Sequence, residues 1–191
     1  MFLLACGVAA LAVTVVLTID VMRSLPHGES FYDPVVAGQV YRSRQPNDAD
    51  WAWMRQHLGI RTVIDLRGLD GPQFDWPREN AGIVGAGMKH ICIPLSSRGP
   101  TDEEVNRFLQ AIDDPGNRPA LMHCEMGRVR SGVMVAVYRM EFQGWPNQRA
   151  VDEFLARLSP DDDHAPAERF IRTYTRRRTS ASQPASRSDA G

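Results

Sequence analysis

The sequence predicts an α/β protein, with a central and mostly parallel sheet of four to five strands flanked by helices. Two observations predict it. Four short apolar runs, 39–42, 61–66, 89–95 and 119–123, alternate with longer stretches of helical period, the pattern of repeated strand–helix units whose crossovers leave the strands parallel. The last run passes through His123-Cys124-Glu125-Met126-Gly127-Arg128-Val129-Arg130-Ser131 directly into another apolar stretch, so a tight loop joins a strand end to a helix start. With 191 residues, 43% of them hydrophobic, the chain can bury one proper core.

The elements follow in order. Residues 2–19 carry no charge and are dominated by Leu, Val and Ala, close to the ~18 apolar residues that mark a membrane span. The run is read as an uncleaved single-pass anchor, favoured over a cleaved signal peptide because no basic segment precedes it and no Ala-x-Ala site ends it. Arg23 just after it places the following domain in the cytoplasm, with export as the alternative. The expected division is therefore a membrane or signal segment at 1–22, a linker rich in Pro and Gly at 23–37, a globular domain at 38–176 and a disordered tail at 177–191.

Within the domain, a strand at 39–42 leads through Ser43-Arg44-Gln45-Pro46-Asn47-Asp48 into a helix over 49–57 whose apolar face is Trp51, Trp53, Met54 and Leu58. The run 61–66, with Thr62, Val63 and Ile64, reads as a buried strand; Asp65 and Arg67 fall at its carboxyl end, where they either face the loop or pair with each other. A loop over 68–76 precedes a short helix at 77–84, and 89–95 is the third strand, with Cys92 read as packing. Thr101 and Glu104 form a capping box for a helix over 102–112, which 113–117 breaks. After the fourth strand and the loop come an apolar helix at 130–142, helices at 148–158 and 166–176, and between these two the acidic Asp161-Asp162-Asp163.

The chemistry of the loop follows from where its donors point. Successive backbone N–H groups entering a helix make a concave nest for an anion, reinforced by the helix dipole, and a phosphate-sized dianion fits it. Cys124, ringed by those amides and by two arginines, is activated as a nucleophile. Arg130 follows after five intervening residues, where its planar fork can hold two oxygens of a transferring phosphoryl group. Gly127 supplies the backbone freedom for the turn. The Ser131 hydroxyl can hydrogen-bond the sulfur and help it leave when a phosphocysteine is hydrolysed. Glu125, Met126, Gly127, Arg128 and Val129 are the expected substrate-binding residues.

Cys, five residues, Arg and Ser, preceded by His and with Gly third in the loop, resemble the cysteine-based protein tyrosine and dual-specificity phosphatases. The segments 40–46 and 59–67 extend the resemblance to small bacterial and fungal or plant-type members, so that it covers roughly residues 38–158. The resemblance implies hydrolysis of phosphomonoesters through a phosphocysteine, without metal or cofactor, on a phosphorylated protein or a phosphoinositide-like substrate. It also implies a general acid in the loop before the helix that precedes the fourth strand, and there Asp102 is the candidate. Val129 stands where some bacterial relatives carry an Asp. A basic residue at the position of Arg128 occurs in relatives acting on phosphoinositides and inositol polyphosphates, while Glu125 opposes such charge, so phosphotyrosine or a generic phosphomonoester is the first expectation. A redox pair of Cys92 with Cys124 is a further implication. The rivals are a phosphate-binding pseudophosphatase without a competent acid, and a rhodanese-like sulfurtransferase, whose loop is usually one residue shorter.

Composition bounds the rest. A net charge of −1 exerts no general pull on nucleic acid, and three cysteines, Cys6, Cys92 and Cys124, make neither a disulfide framework nor a metal-ligand spacing.

Overall fold

The computed structural model describes residues 32–67, 76–96 and 99–177. Five strands, β1 (Tyr32–Val36), β2 (Val40–Ser43), β3 (Thr62–Asp65), β4 (Lys89–Cys92) and β5 (Ala120–His123), form one sheet in the order β1-β2-β5-β3-β4. The pairs β2–β5, β5–β3 and β3–β4 are parallel, and only β1 runs antiparallel, against β2. Six α-helices complete the described chain: α1 (Asp48–His57), α2 (Trp76–Gly85), α3 (Asp102–Asp113), α4 (Val129–Gln143), α5 (Asn147–Leu155) and α6 (Ala165–Thr173).

Side chains alternate across the sheet, as a pleated strand requires. Val40, Ile64, Ala120 and Met122 face a core shared with α3, α4, α5 and α6; Tyr41, Val63 and Leu121 face a second one with Trp51 and Met54 of α1 and Ile83 of α2. Helices on both faces explain why β3 and β5 are buried at every position. Helix α4 buries ten of its fifteen residues, because it lies between the sheet and three other helices.

Strand β1 occupies part of the stretch read as a linker. Pro34 reads as a breaker in sequence, but an edge strand tolerates the missing N–H, and the turn at Gly38 folds β1 back onto β2. The single-pass membrane placement also needs correction, since no helix among the described residues is long and apolar enough to cross a membrane. The apolar run 2–19 and the tail beyond residue 177 lie outside the described residues.

The expected Thr101 cap forms, and the structure adds a second at Asn47, one residue before the helix starts. The Thr101 hydroxyl accepts from Glu104 N at 3.3 Å and Glu104 Oε2 accepts from Thr101 N at 2.6 Å. Asn47 Oδ1 accepts from Ala49 N and Asp50 N, both at 3.0 Å, and Asp50 closes a second capping box. Asn47→Ala is expected to lower stability by about 1 kcal/mol, and Asn47→Asp to recover most of it, in urea unfolding.

Candidate active site

The loop Cys124–Arg128 lies where three parallel strands end, between β5 and the first turn of α4. Its backbone is tied down on both sides. Gln45 N donates to Glu125 O at 3.0 Å, and Leu66 N donates to His123 O at 2.9 Å. Gly127 adopts φ +69°, and a Cβ there would sit 2.6 Å from Arg44 N and 2.8 Å from Ser43 O. Only glycine can take this conformation at this closeness to the β2–α1 turn.

Cys124 is buried, with Sγ 3.5 Å from the buried Ser131 Oγ. Arg130 is partly exposed, its Nη2 3.5 Å from Glu125 Oε2. A cleft of about 410 Å³ opens over the sulfur, lined by Leu95, Met126, Val129 and Arg130 and, from the loop before α6, by Asp162 and Asp163. Of the residues singled out in sequence, Cys124, Met126, Val129 and Arg130 line this cleft and Ser131 lies beneath it. Gly127 and Glu125 shape the loop.

Two expectations change. Asp102 does not line the cleft; it lines a separate one with Phe170 and Tyr174, and its carboxylate is paired with Arg177. Its position in the first turn of α3 accounts for it there, and the general-acid role is withdrawn. Arg128 does not offer a second unopposed cation. Its Nε and Nη2 donate to the two carboxylate oxygens of Asp162 at 2.6 and 2.9 Å, and this bidentate bond holds the Asp162 carboxyl below its ordinary value. The partner lies 34 residues away, beyond the reach of any local spacing argument.

Behind the sulfur lies a buried polar cluster that sequence reading reached only in part. Arg67 binds Asp65 through Nε and Nη2 at 3.0 and 2.9 Å and also pairs with Glu79, which in turn accepts from Gln45 Nε2 at 3.2 Å. Asp65 and Arg67 thus pair with each other beside the loop. His123, fully buried, places Nε2 3.3 Å from Glu79 Oε1. Burial pushes its imidazole down to about 4, opposing charge on the ring, while burial with the neighbouring Asp65 charge raises the Glu79 carboxyl. Asp65, Glu79 and His123 each bring a ligand atom within 4.8 Å of the others, a grouping of metal-binding type. Arg67 already sits on both carboxylates, so a metal would have to displace its guanidinium.

Cys92 is half-buried, and its thiol is pushed up to about 11 by burial and the nearby Asp65. In register it lies level with Asp65, and Asp65 lies level with His123. Two strand spacings, about 9–10 Å, therefore separate Cys92 from the residue before Cys124, more than a disulfide spans without backbone movement. This placement fits the packing reading, and Cys92 does not line the cleft over Cys124.

A family model described as a DSP-PTPase phosphatase fused to NAD+ kinase matches residues 29–173. The chain belongs to this phosphatase family. Among curated relatives, the dual specificity protein phosphatase TpbA of Pseudomonas aeruginosa is 31% identical over 137 residues, covering 70% of this chain and 58% of that protein. The inositol diphosphatase SIW14 of Saccharomyces cerevisiae is 27% identical over 173 residues, 82% of this chain and 58% of that one. The chain thus spans less than two thirds of the length of these relatives. Among solved structures, P. aeruginosa TpbA in complex with pTyr aligns with TM-score 0.59 and 26% identity over 77% of this chain and 91% of that one. The SIW14 core catalytic domain shares the fold, with TM-score 0.63 over 73% of this chain and 83% of that one.

Two outcomes follow from the geometry. Gly127→Ala should lower stability by roughly 1–3 kcal/mol and distort the cleft, seen as weakened binding of inorganic phosphate. For His123, a folded value of about 4 below the ordinary 6.5 means that stability present above pH 6.5 is lost as pH falls toward 4, on the order of 1–3 kcal/mol. Urea midpoints across this window should fall less steeply for His123→Gln than for the wild type.

Proposed function

We propose that this domain hydrolyses phosphomonoesters through a covalent phosphocysteine on Cys124. The observation that carries the reading is the shared cleft: a buried sulfur on its floor, the Arg130 guanidinium at its side, and a loop backbone that only glycine can close. The Cys124 sulfur attacks phosphorus in line with the ester oxygen, the S–P bond forms and the P–O bond breaks. Loop amides and the Arg130 fork take up charge on the equatorial oxygens. For phosphate to reach Arg130, the exposed Glu125 has to yield its 3.5 Å pairing, at little energetic cost for a surface ion pair. In the second half, water attacks phosphorus and the sulfur leaves, accepting a hydrogen bond from Ser131.

A proton for the leaving oxygen has to come from within the cleft. Two carboxylates line it among the described residues, and Asp162 is held ionised by Arg128. Asp163 is thereby assigned the role of acid in the first step and of base toward water in the second.

Phosphotyrosine or another aryl phosphate is the first substrate class, in keeping with the similarity to TpbA and to its complex with pTyr. A polyphosphorylated inositol is the second, in keeping with the similarity to SIW14 over 82% of the chain.

Cys124→Ser is expected to abolish aryl phosphate turnover while retaining phosphate binding; appreciable residual turnover would exclude the phosphocysteine route. Asp163→Asn should lower kcat on an alkyl phosphate about 10²-fold, and less on p-nitrophenyl phosphate, whose leaving group needs little protonation. Asp102→Asn should leave both rates near wild type.

A further inference from the structure

A second cleft lies on the other side of the loop. Its volume is about 190 Å³, and four arginines, Arg42, Arg44, Arg128 and Arg157, line it against one carboxylate, Asp33. Residues 126–128 form its wall on the loop side, and Met126 lines both this cleft and the one over Cys124. The two spaces are thus back to back across three loop residues.

We propose that this second cleft is an anion site that takes a phosphate group. Charge is the first ground. Arg42 is buried, and its Nε and Nη2 reach a single Asp33 oxygen at 3.3 Å, longer than the 2.7–2.9 Å usual for charge-assisted bonds. Arg157 pairs with that same oxygen. One carboxylate oxygen therefore serves two guanidinium groups, while Asp162 offsets Arg128 from the far side of the loop. Glu153 also acts on Arg42 and Arg157 from outside the cleft but is itself paired with Arg139, so the lining arginines still outnumber the one carboxylate that lines the cleft, in a place where burial makes that charge costly. Burial, with Arg157 beside it, lowers the proton affinity of Arg42.

The second ground is an unmet donor. Ser43 is buried, lines the cleft, and its hydroxyl has no hydrogen-bond partner among the described residues. Buried hydroxyls in folded proteins are nearly always paired, so an orphan beside a cluster of arginines points to a missing acceptor. A tetrahedral oxyanion meets both needs: it accepts from the Ser43 hydroxyl and from planar guanidinium forks together. Phosphate, as a dianion, offsets more of the excess than a carboxylate does.

Two sources share this chemistry, a second phosphate on the substrate bound over Cys124 and free inorganic phosphate. Only the first rests on the reading of the Cys124 cleft as a phosphoryl-transfer site. The test is inorganic phosphate binding to the full chain by calorimetry. Wild type is expected to take two phosphates per chain, Ser43→Ala/Arg44→Ala one, Arg130→Ala one, and the triple variant none. Arg157→Gln, at a half-exposed position, serves as a second variant and should weaken the same site at least about tenfold, with unfolding midpoints reporting that each variant folds. A single phosphate in wild type, with Ser43→Ala/Arg44→Ala unchanged, would overturn the proposal. Wild type that takes two phosphates but turns over no aryl phosphate would remove the proposed activity and leave this site standing. The source is read from kcat/KM for a bisphosphorylated substrate relative to an aryl phosphate. A fall of about tenfold in that ratio for Arg44→Ala assigns the site to substrate, and an unchanged ratio with lost phosphate binding assigns it to free phosphate.

Discussion

The seating of Gly127 on the β2–α1 turn is the contact on which the arrangement depends. Its α-carbon lies so close to the Ser43 and Arg44 backbone that a methyl group would have no room, and its positive φ turns the chain just before α4. This closeness sets how tightly the loop curls and therefore where its amides point. The hydrogen bonds from Gln45 N and Leu66 N to the loop and strand carbonyls hold the same curve from either side. A cradle built from backbone is rigid only when the backbone itself is packed, and here two turns from distant parts of the chain do that packing.

Around the cradle, charge is handled by pairing over long sequence distances. Arg67 bridges Asp65 and Glu79 beside the loop, Arg128 and Asp162 clamp the loop to the segment before α6, and Arg42 and Arg157 converge on Asp33. In the first, two carboxylates meet one guanidinium, and in the second the charges match one to one; both brace the loop. In the third, two guanidinium groups share one carboxylate oxygen. Arg130 differs again, since its partner Glu125 is exposed and easily displaced, and so its guanidinium is available to a ligand over Cys124.

Much of this was legible in sequence because it is local. The strands β2, β3, β4 and β5 follow from the apolar runs, the α1 start from the turn at 43–48, the α3 start from Thr101 acting on the Glu104 amide, and the Cys124–Arg130 spacing places nucleophile and guanidinium on one turn. Readings that failed did so because a distant partner decided them. Pro34 signals a break in isolation but sits comfortably on an edge strand once β2 is beside it. Asp102 was near in sequence to where an acid was expected, yet α3 carries it to a different cleft and to Arg177. Asp163, from a stretch that reads only as an acidic loop, is brought over the sulfur by the packing of α5 and α6 against α4.

The sequence by itself determined the alternating strand–helix order, the helix caps and the nucleophilic loop, since each depends on hydrogen bonds and backbone preferences within a few residues. Tertiary structure alone decided which carboxylate shares the cleft with Cys124, that the charge of Arg128 is already matched, and that a second cluster of arginines backs onto the loop. Those outcomes depend on side chains separated by tens of residues, 34 between Arg128 and Asp162 and 124 between Arg157 and Asp33, and only the packing of the helices on the sheet brings them within reach.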